Sequence, residues 1–182
     1  MRAQLFPHPT SGNGPLTGID VTVHRAGTKL EFAYAVHGAT EDVLWPAGDG
    51  GQRADDLWKH TCFEAFIMPG IGPHYYEFNF SPSTAWAAHA FQSYRQGQAS
   101  VTVAAPEIRV SFRGEPHQQA HGARIDVAID IAGPPGLIAA VTWQIGLSAV
   151  VEEQSGAKQY WALLHPQPNP DFHDATSFAR TI

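Results

Sequence analysis

Seventeen glycines and fourteen prolines are scattered along the 182 residues as punctuation, and no stretch of a dozen residues between them carries a convincing 3.6-residue apolar period. Both residues interrupt regular structure, so the chain is confined to short elements joined by turns. Nine runs read as strands: 19–25, 29–37, 61–68, 74–80, 85–94, 107–112, 124–131, 141–151 and 159–164. The fifth is ambiguous, because alanine is frequent enough there for a helix. Ala26-Gly27-Thr28 joins the first two runs as a hairpin turn, and Asp126, Ala128 and Asp130 alternate with apolar neighbours as in a strand with one wet face. No repeat and no boundary appears. The expectation is a single-domain, all-β, mostly antiparallel β-sandwich over 1–182, with 1–17 as an N-terminal extension or edge segment.

Charge narrows the partners. Eleven basic against seventeen acidic residues leave a net charge of -6, so counterion release from nucleic acid has little to work with. Apolar runs fall short of the roughly 18 residues of a membrane span, and no apolar signal core follows Arg2. DNA, RNA and membranes are excluded as expected partners, and the cytoplasm is the expected location. Cys62 is alone, which rules out an internal disulfide and a multi-cysteine zinc site.

The runs 61–68 and 74–80 flank Pro69-Gly70-Ile71-Gly72 and form the most informative hairpin. With Phe63, Ala65 and Ile67 facing the core beside Tyr76, Phe78 and Phe80, a four-residue loop sets Met68 opposite Pro73, Glu64 opposite Glu77, Cys62 opposite Asn79 and Phe66 opposite Tyr75. The second face is then aromatic and acidic. Two carboxylates about 5 Å apart repel unless a cation, a hydrogen-bond network or a shared proton offsets the cost. Arg95, Lys59 and Lys158 are the available cations. A structural Glu and Arg network, two solvated strand residues, a bound calcium ion, ligand-facing groups and a glycosidase-type pair all remain open.

No GxSxG, HExxH, GxxxxGK[ST] or GxGxxG signature is present. His117 and His121 have the spacing of two metal ligands on one helical face, but Glu115-Pro116 and Gly122 around them favour a loop. Aromatic residues and histidines gather at Leu57-Trp58-Lys59-His60, at Tyr75 with Trp86, and at Tyr160-Trp161 followed by His165 and Phe172-His173. Exposed together, such rings suit stacking on a sugar or a porphyrin; taken singly, most are packing residues.

The run 57–66, the run 75–83 (Tyr-Tyr-Glu-Phe-Asn-Phe-Ser-Pro-Ser) with Trp86, the stretch from Trp143 through Gly146-Leu147-Ser148 to Glu153, and Tyr160-Trp161-Ala162-Leu163 with His165-Pro166 and Pro170-Asp171-Phe172-His173 resemble the DOMON-like proteins related to family 9 carbohydrate-binding modules. The resemblance spans about 19–182. It implies a β-sandwich that holds a flat ligand, a sugar in the carbohydrate-binding modules and haem b in the cytochrome-like members. The expected function is non-catalytic binding of a small molecule, a sugar or sugar derivative. Trp58, Trp86 and Trp161 would stack on it, Glu64, Glu77, Asn79 and Arg95 would bond its hydroxyls, and His60, His165 and His173 would serve as donors or haem ligands, with Tyr75 in the same aromatic group. Haem b with Met68 as axial ligand is the alternative, and an enzyme using Glu64 and Glu77 with a histidine is the third reading. An exposed edge strand leaves room for a homodimer.

Overall fold

A computed structural model describes residues 1–48, 50–113 and 122–182. His117 and His121 lie outside the described residues. The described residues hold twelve strands: β1 (Arg2–Pro7), β2 (Leu16–Ala26), β3 (Lys29–Gly38), β4 (Cys62–Pro69), β5 (Tyr75–Phe80), β6 (Trp86–Phe91), β7 (Ala99–Ser100), β8 (Glu107–Arg113), β9 (Gly122–Asp130), β10 (Trp143–Glu152), β11 (Lys158–Ala162) and β12 (Arg180–Thr181). Nine of them match the runs read from sequence. The ambiguous fifth run is strand β6, and among the described residues the α-helix is a single short one, α1 (Pro135–Ala139).

The strands form one antiparallel sheet in the order β7-β6-β5-β4-β10-β11-β1-β2-β3-β9-β8, with β12 beside β10. The sheet curls into two layers that share one core. Rings far apart along the sheet meet across it: Phe32 of β3 lies 5.7 Å from Phe80 of β5, and Tyr34 lies 5.0 Å from Phe63 of β4. The Tyr34 hydroxyl donates to the Glu64 carbonyl at 2.9 Å, which joins the layers by a buried bond.

Residues 1–17 are no edge segment. β1 lies in the interior of the sheet, where Arg2–Leu5 pair with β2 and Phe6 and Pro7 pair with β11. One strand therefore carries the sheet from one layer to the other, and Leu5 is buried in the core beneath it.

The hairpin β4–β5 departs from the expected register. Glu64 lies opposite Asn79 and Phe66 opposite Glu77, so the pairing is two residues away from the one that a four-residue loop requires. That register would place Pro73 within the ladder, and a proline has no N–H to contribute. The chain instead turns through Gly70 and Gly72 at φ 66° and 142° before β5 begins. A slip of two residues preserves the faces. Phe63, Ala65, Ile67, Phe78 and Phe80 enter the core as expected, and the Glu64 and Glu77 pair becomes diagonal.

Candidate functional site

Every residue of β4 is buried, including those that point away from the core. Something must therefore cover its second face. The cover is the segment after β11, anchored by Phe178, whose ring stacks on Phe66 at 5.6 Å and meets Tyr75 edge-on at 5.6 Å. Gly146 of β10 makes room for it, since a β-carbon there would come within 2.5 Å of the Phe178 ring. Met68, Tyr75 and Phe91 complete this small apolar cluster.

Between the sheet and its cover lies a cavity of about 800 Å³. Its floor comes from four adjacent strands: His89 and Ala87 of β6, Glu77 and Asn79 of β5, Glu64 of β4 and Val150 of β10. Asp55, Asp56, Leu57 and Trp58 form one side of the rim, and Tyr160, Pro170, Phe172 and His173 form another. The stretch before Trp58 is pinned at both ends. Leu44 N–H donates to the Glu152 carbonyl at 2.7 Å, Ala54 N–H donates to the Trp86 carbonyl at 2.9 Å, and the Arg53 guanidinium donates to the carbonyls of Ala88 and Val101. These bonds fix where Asp55 emerges.

The floor is polar yet enclosed, with Glu64, Glu77 and Asn79 only 3%, 6% and 3% exposed. The Asn79 amide donates to Glu77 Oε1 at 2.7 Å, and the Ser148 hydroxyl donates to Glu64 Oε2 at 3.1 Å. Burial, and then the charge of Glu77, pushes Glu64 up to about 8 against the opposing pull of Ser148 and Arg95. Near neutral pH Glu64 keeps its proton and can donate. Burial also raises Glu77, while the Asn79 bond and Arg95 hold it back.

His173 hangs over this floor. Burial and then Arg95 lower it to about 4, so the imidazole is neutral at neutral pH. The Tyr75 oxygen accepts from the Arg95 backbone N–H at 3.2 Å, which directs the Tyr75 hydroxyl proton to His173 Nδ1 at 2.8 Å. The ring proton then sits on Nε2, aimed toward Glu77 Oε2 at 3.9 Å, too far for a direct hydrogen bond. Asp171 clamps the arrangement from outside by accepting from the Arg95 guanidinium at 2.9 Å, the Tyr94 hydroxyl at 2.5 Å and the His173 backbone N–H at 3.0 Å. Burial alone would raise Asp171, but the bonds from Tyr94 and Arg95 outweigh it and hold the carboxyl below its usual range.

Of the residues expected in a site, Trp58, Glu64, Glu77, Asn79, Arg95 and His173 line the cavity, with Tyr75 directly behind His173. Four are elsewhere. Trp86 and Trp161 belong to the core on the other face of the sheet, because their strand partners Phe80 and Ala149 are core residues. The Trp86 ring lies 4.7 Å from the Arg53 guanidinium and the Trp161 indole donates to Gln159 Oε1. His60 pairs with Glu152 at 2.7 Å on the surface, and His165 bonds the Phe6 carbonyl at 2.8 Å beside His8. Met68, the expected haem ligand, is enclosed by aromatic rings and does not reach the cavity lining, so the residues present do not fit axial ligation through it. Among the described residues no group of three or more His, Cys, Asp or Glu is disposed to hold a metal ion. Asp55 and His89 line the site unforeseen. His89 was detectable by parity, since it alternates with Ala87 and Phe91 and lies opposite Glu77.

No family model matches the chain, and no curated protein matches it. Among solved structures, the chain is similar over its whole length to 84% of a protein from Bacteroides uniformis ATCC 8492 provisionally assigned as carbohydrate-binding, at 14% identity and a TM-score of 0.70. Ninety per cent of the chain is similar to 74% of a family 9 carbohydrate-binding module from Caldicellulosiruptor kristjanssonii, solved in complex with glucose, at 8% identity and a TM-score of 0.51. The fold is thus a β-sandwich of the kind found in family 9 carbohydrate-binding modules.

Proposed function

We propose that this protein binds a small saccharide, without transforming it, in the cavity over β4, β5 and β6. The observation that carries this reading is the cavity itself: buried hydrogen-bonding side chains converge from adjacent strands, while flat rings stand at the rim. A pyranose presents hydroxyls around its perimeter and C–H groups on its faces, and it needs both kinds of surface. Glu77 and the Asn79 carbonyl accept, Glu64 and His173 Nε2 donate, and the half-exposed ring of Trp58 is free to stack. The likeness of the fold to a module solved with glucose supports the same reading.

Calorimetric titration of the protein with glucose, cellobiose and other small sugars tests it. We expect binding in the micromolar to millimolar range, weakened roughly tenfold by Trp58→Ala, since one stacking contact contributes on the order of 1 kcal/mol. An absence of binding across the sugar panel, with the protein folded, overturns the reading. Trp86→Phe provides the control, as that ring packs in the core and its replacement is expected to alter stability and leave affinity unchanged.

A further inference from the structure

The carboxyl groups of the cavity outnumber its cations. Among the described residues, Asp55, Asp56, Glu64 and Glu77 line it with one guanidinium, Arg95. Lys59 is paired with Asp56 at 2.6 Å and Arg95 with Asp171 at 2.9 Å, so Arg95 acts on Glu64 and Glu77 only from a distance and neither cation is bonded to them. Among the described residues, the hydrogen-bond donors to the Glu64 and Glu77 carboxyls are neutral, a hydroxyl and an amide, and the nearest ring nitrogen stands 3.9 Å away. Both side chains are more than nine-tenths buried, and both line the open cavity. With only neutral donors bonded to them, the two enclosed carboxyls cannot both ionise without losing more by desolvation than those hydrogen bonds return.

A cation lodged between them supplies the missing charge, and the shape of the site selects which kind. An ammonium group offers three donors to two carboxyls from adjacent strands, and the rim rings suit an apolar ring face attached to it. We infer that the ligand carries a protonated primary amine, as an amino sugar does, seated against Glu64 and Glu77 with its ring beside Trp58. The inference rests on the saccharide reading above and adds a charge to it. Burial lends support, because Glu64 holds its proton near neutrality and an arriving ammonium displaces that proton to solvent. Among the described residues the other titratable groups around the pair are Tyr34 beneath it, Cys62 beside it against Asn79, Tyr75, His89, His173 and Arg95 above it, and Asp55, Asp56 and Tyr160 at the rim; both histidines are held neutral by burial.

The test is calorimetry on the full chain at about pH 6.5, where such an amine is cationic, with glucosamine, glucose, N-acetylglucosamine and 1,4-diaminobutane as probes. The expected result is glucosamine at least ~tenfold tighter than the two neutral sugars, with proton release read from the dependence of the heat on the buffer. Glu64→Gln and Glu77→Gln, each checked for a native melting transition, are expected to remove that preference. The ranking of probes by the unaltered protein needs no variant. Neutral sugars binding as well as glucosamine overturns the amine and leaves the saccharide reading standing. Binding of diaminobutane with every sugar silent supports the amine and overturns the saccharide. Silence from all four overturns both.

Discussion

Glu64 ties the stability of the protein to pH. Its folded value of about 8 stands above the usual 4.5, so the folded state holds one more proton than the unfolded chain between those limits. The stabilisation is complete below 4.5 and is lost as pH rises towards 8. Glu77 acts in the same sense. His173 is opposite: lowered from 6.5 to about 4, it favours the fold above 6.5 and costs stability as pH falls through that window. The two slopes oppose each other between 4.5 and 6.5, and the carboxyls act alone above it. The melting temperature is therefore expected to fall between pH 6.5 and 8 by on the order of 5 °C. Glu64→Gln should flatten that limb, and calorimetric scans across the range check it; an equal slope in the variant removes Glu64 as the cause. Glu64 and Glu77 could be singled out from sequence because charged residues sat among aromatic ones on one strand face. His173 and Arg95 could be suspected, but the Tyr75 and Asp171 bonds that position them join residues 98 and 76 positions apart, and no local pattern encodes such contacts.

The element that completes the site is the segment beyond β11, and it is held more by rings than by a ladder. Phe178 packs on Phe66 and Tyr75 over Gly146, while β12 contributes a two-residue pairing with β10. Phe178→Ala removes the anchor and is expected to cost about 3 kcal/mol. Limited proteolysis should then cut within 165–178 faster than in the unaltered protein, and binding should weaken together with that protection. Unchanged cleavage would show that Asp171 and β12 suffice to hold the segment. The hairpin β4–β5 was legible as an element, with both faces assigned, because alternation survives any even shift of register. Its pairing was not, since loop length was decided by Pro73 and two glycines at positive φ and not by apolar pattern. Trp86 and Trp161 fall to the core by the same parity, once their strands are matched to Phe80 and Ala149.

At the level of the whole molecule, closure depends on β1. This strand is bonded on one side to β2 and on the other to β11, so it is the hydrogen-bonded seam between the two layers. Leu5, 1% exposed, fills the space beneath it, and Leu5→Ala is expected to destabilise the protein by about 3 kcal/mol in chemical denaturation. A cost below about 1 kcal/mol would mean the seam can relax around the vacancy. The β-sandwich itself was legible from turn spacing and the lack of helical periodicity. The seam was not, because the run Arg2–Pro7 alternates weakly and ends in a proline, and its neighbours, near residues 20 and 160, are distant in the chain.

The cavity floor and the hydrophobic core are the two faces of the same strands. Glu64 sits between Phe63 and Ala65, and Glu77 between Tyr76 and Phe78, so inserting or deleting one residue in β4 or β5 exchanges carboxyls for core side chains. Variation in this floor is therefore restricted to substitution. Length changes are open only to the rim, at 55–58 and 168–173, and diversification of ligand preference, whether by natural descent or in a library, has its freedom there.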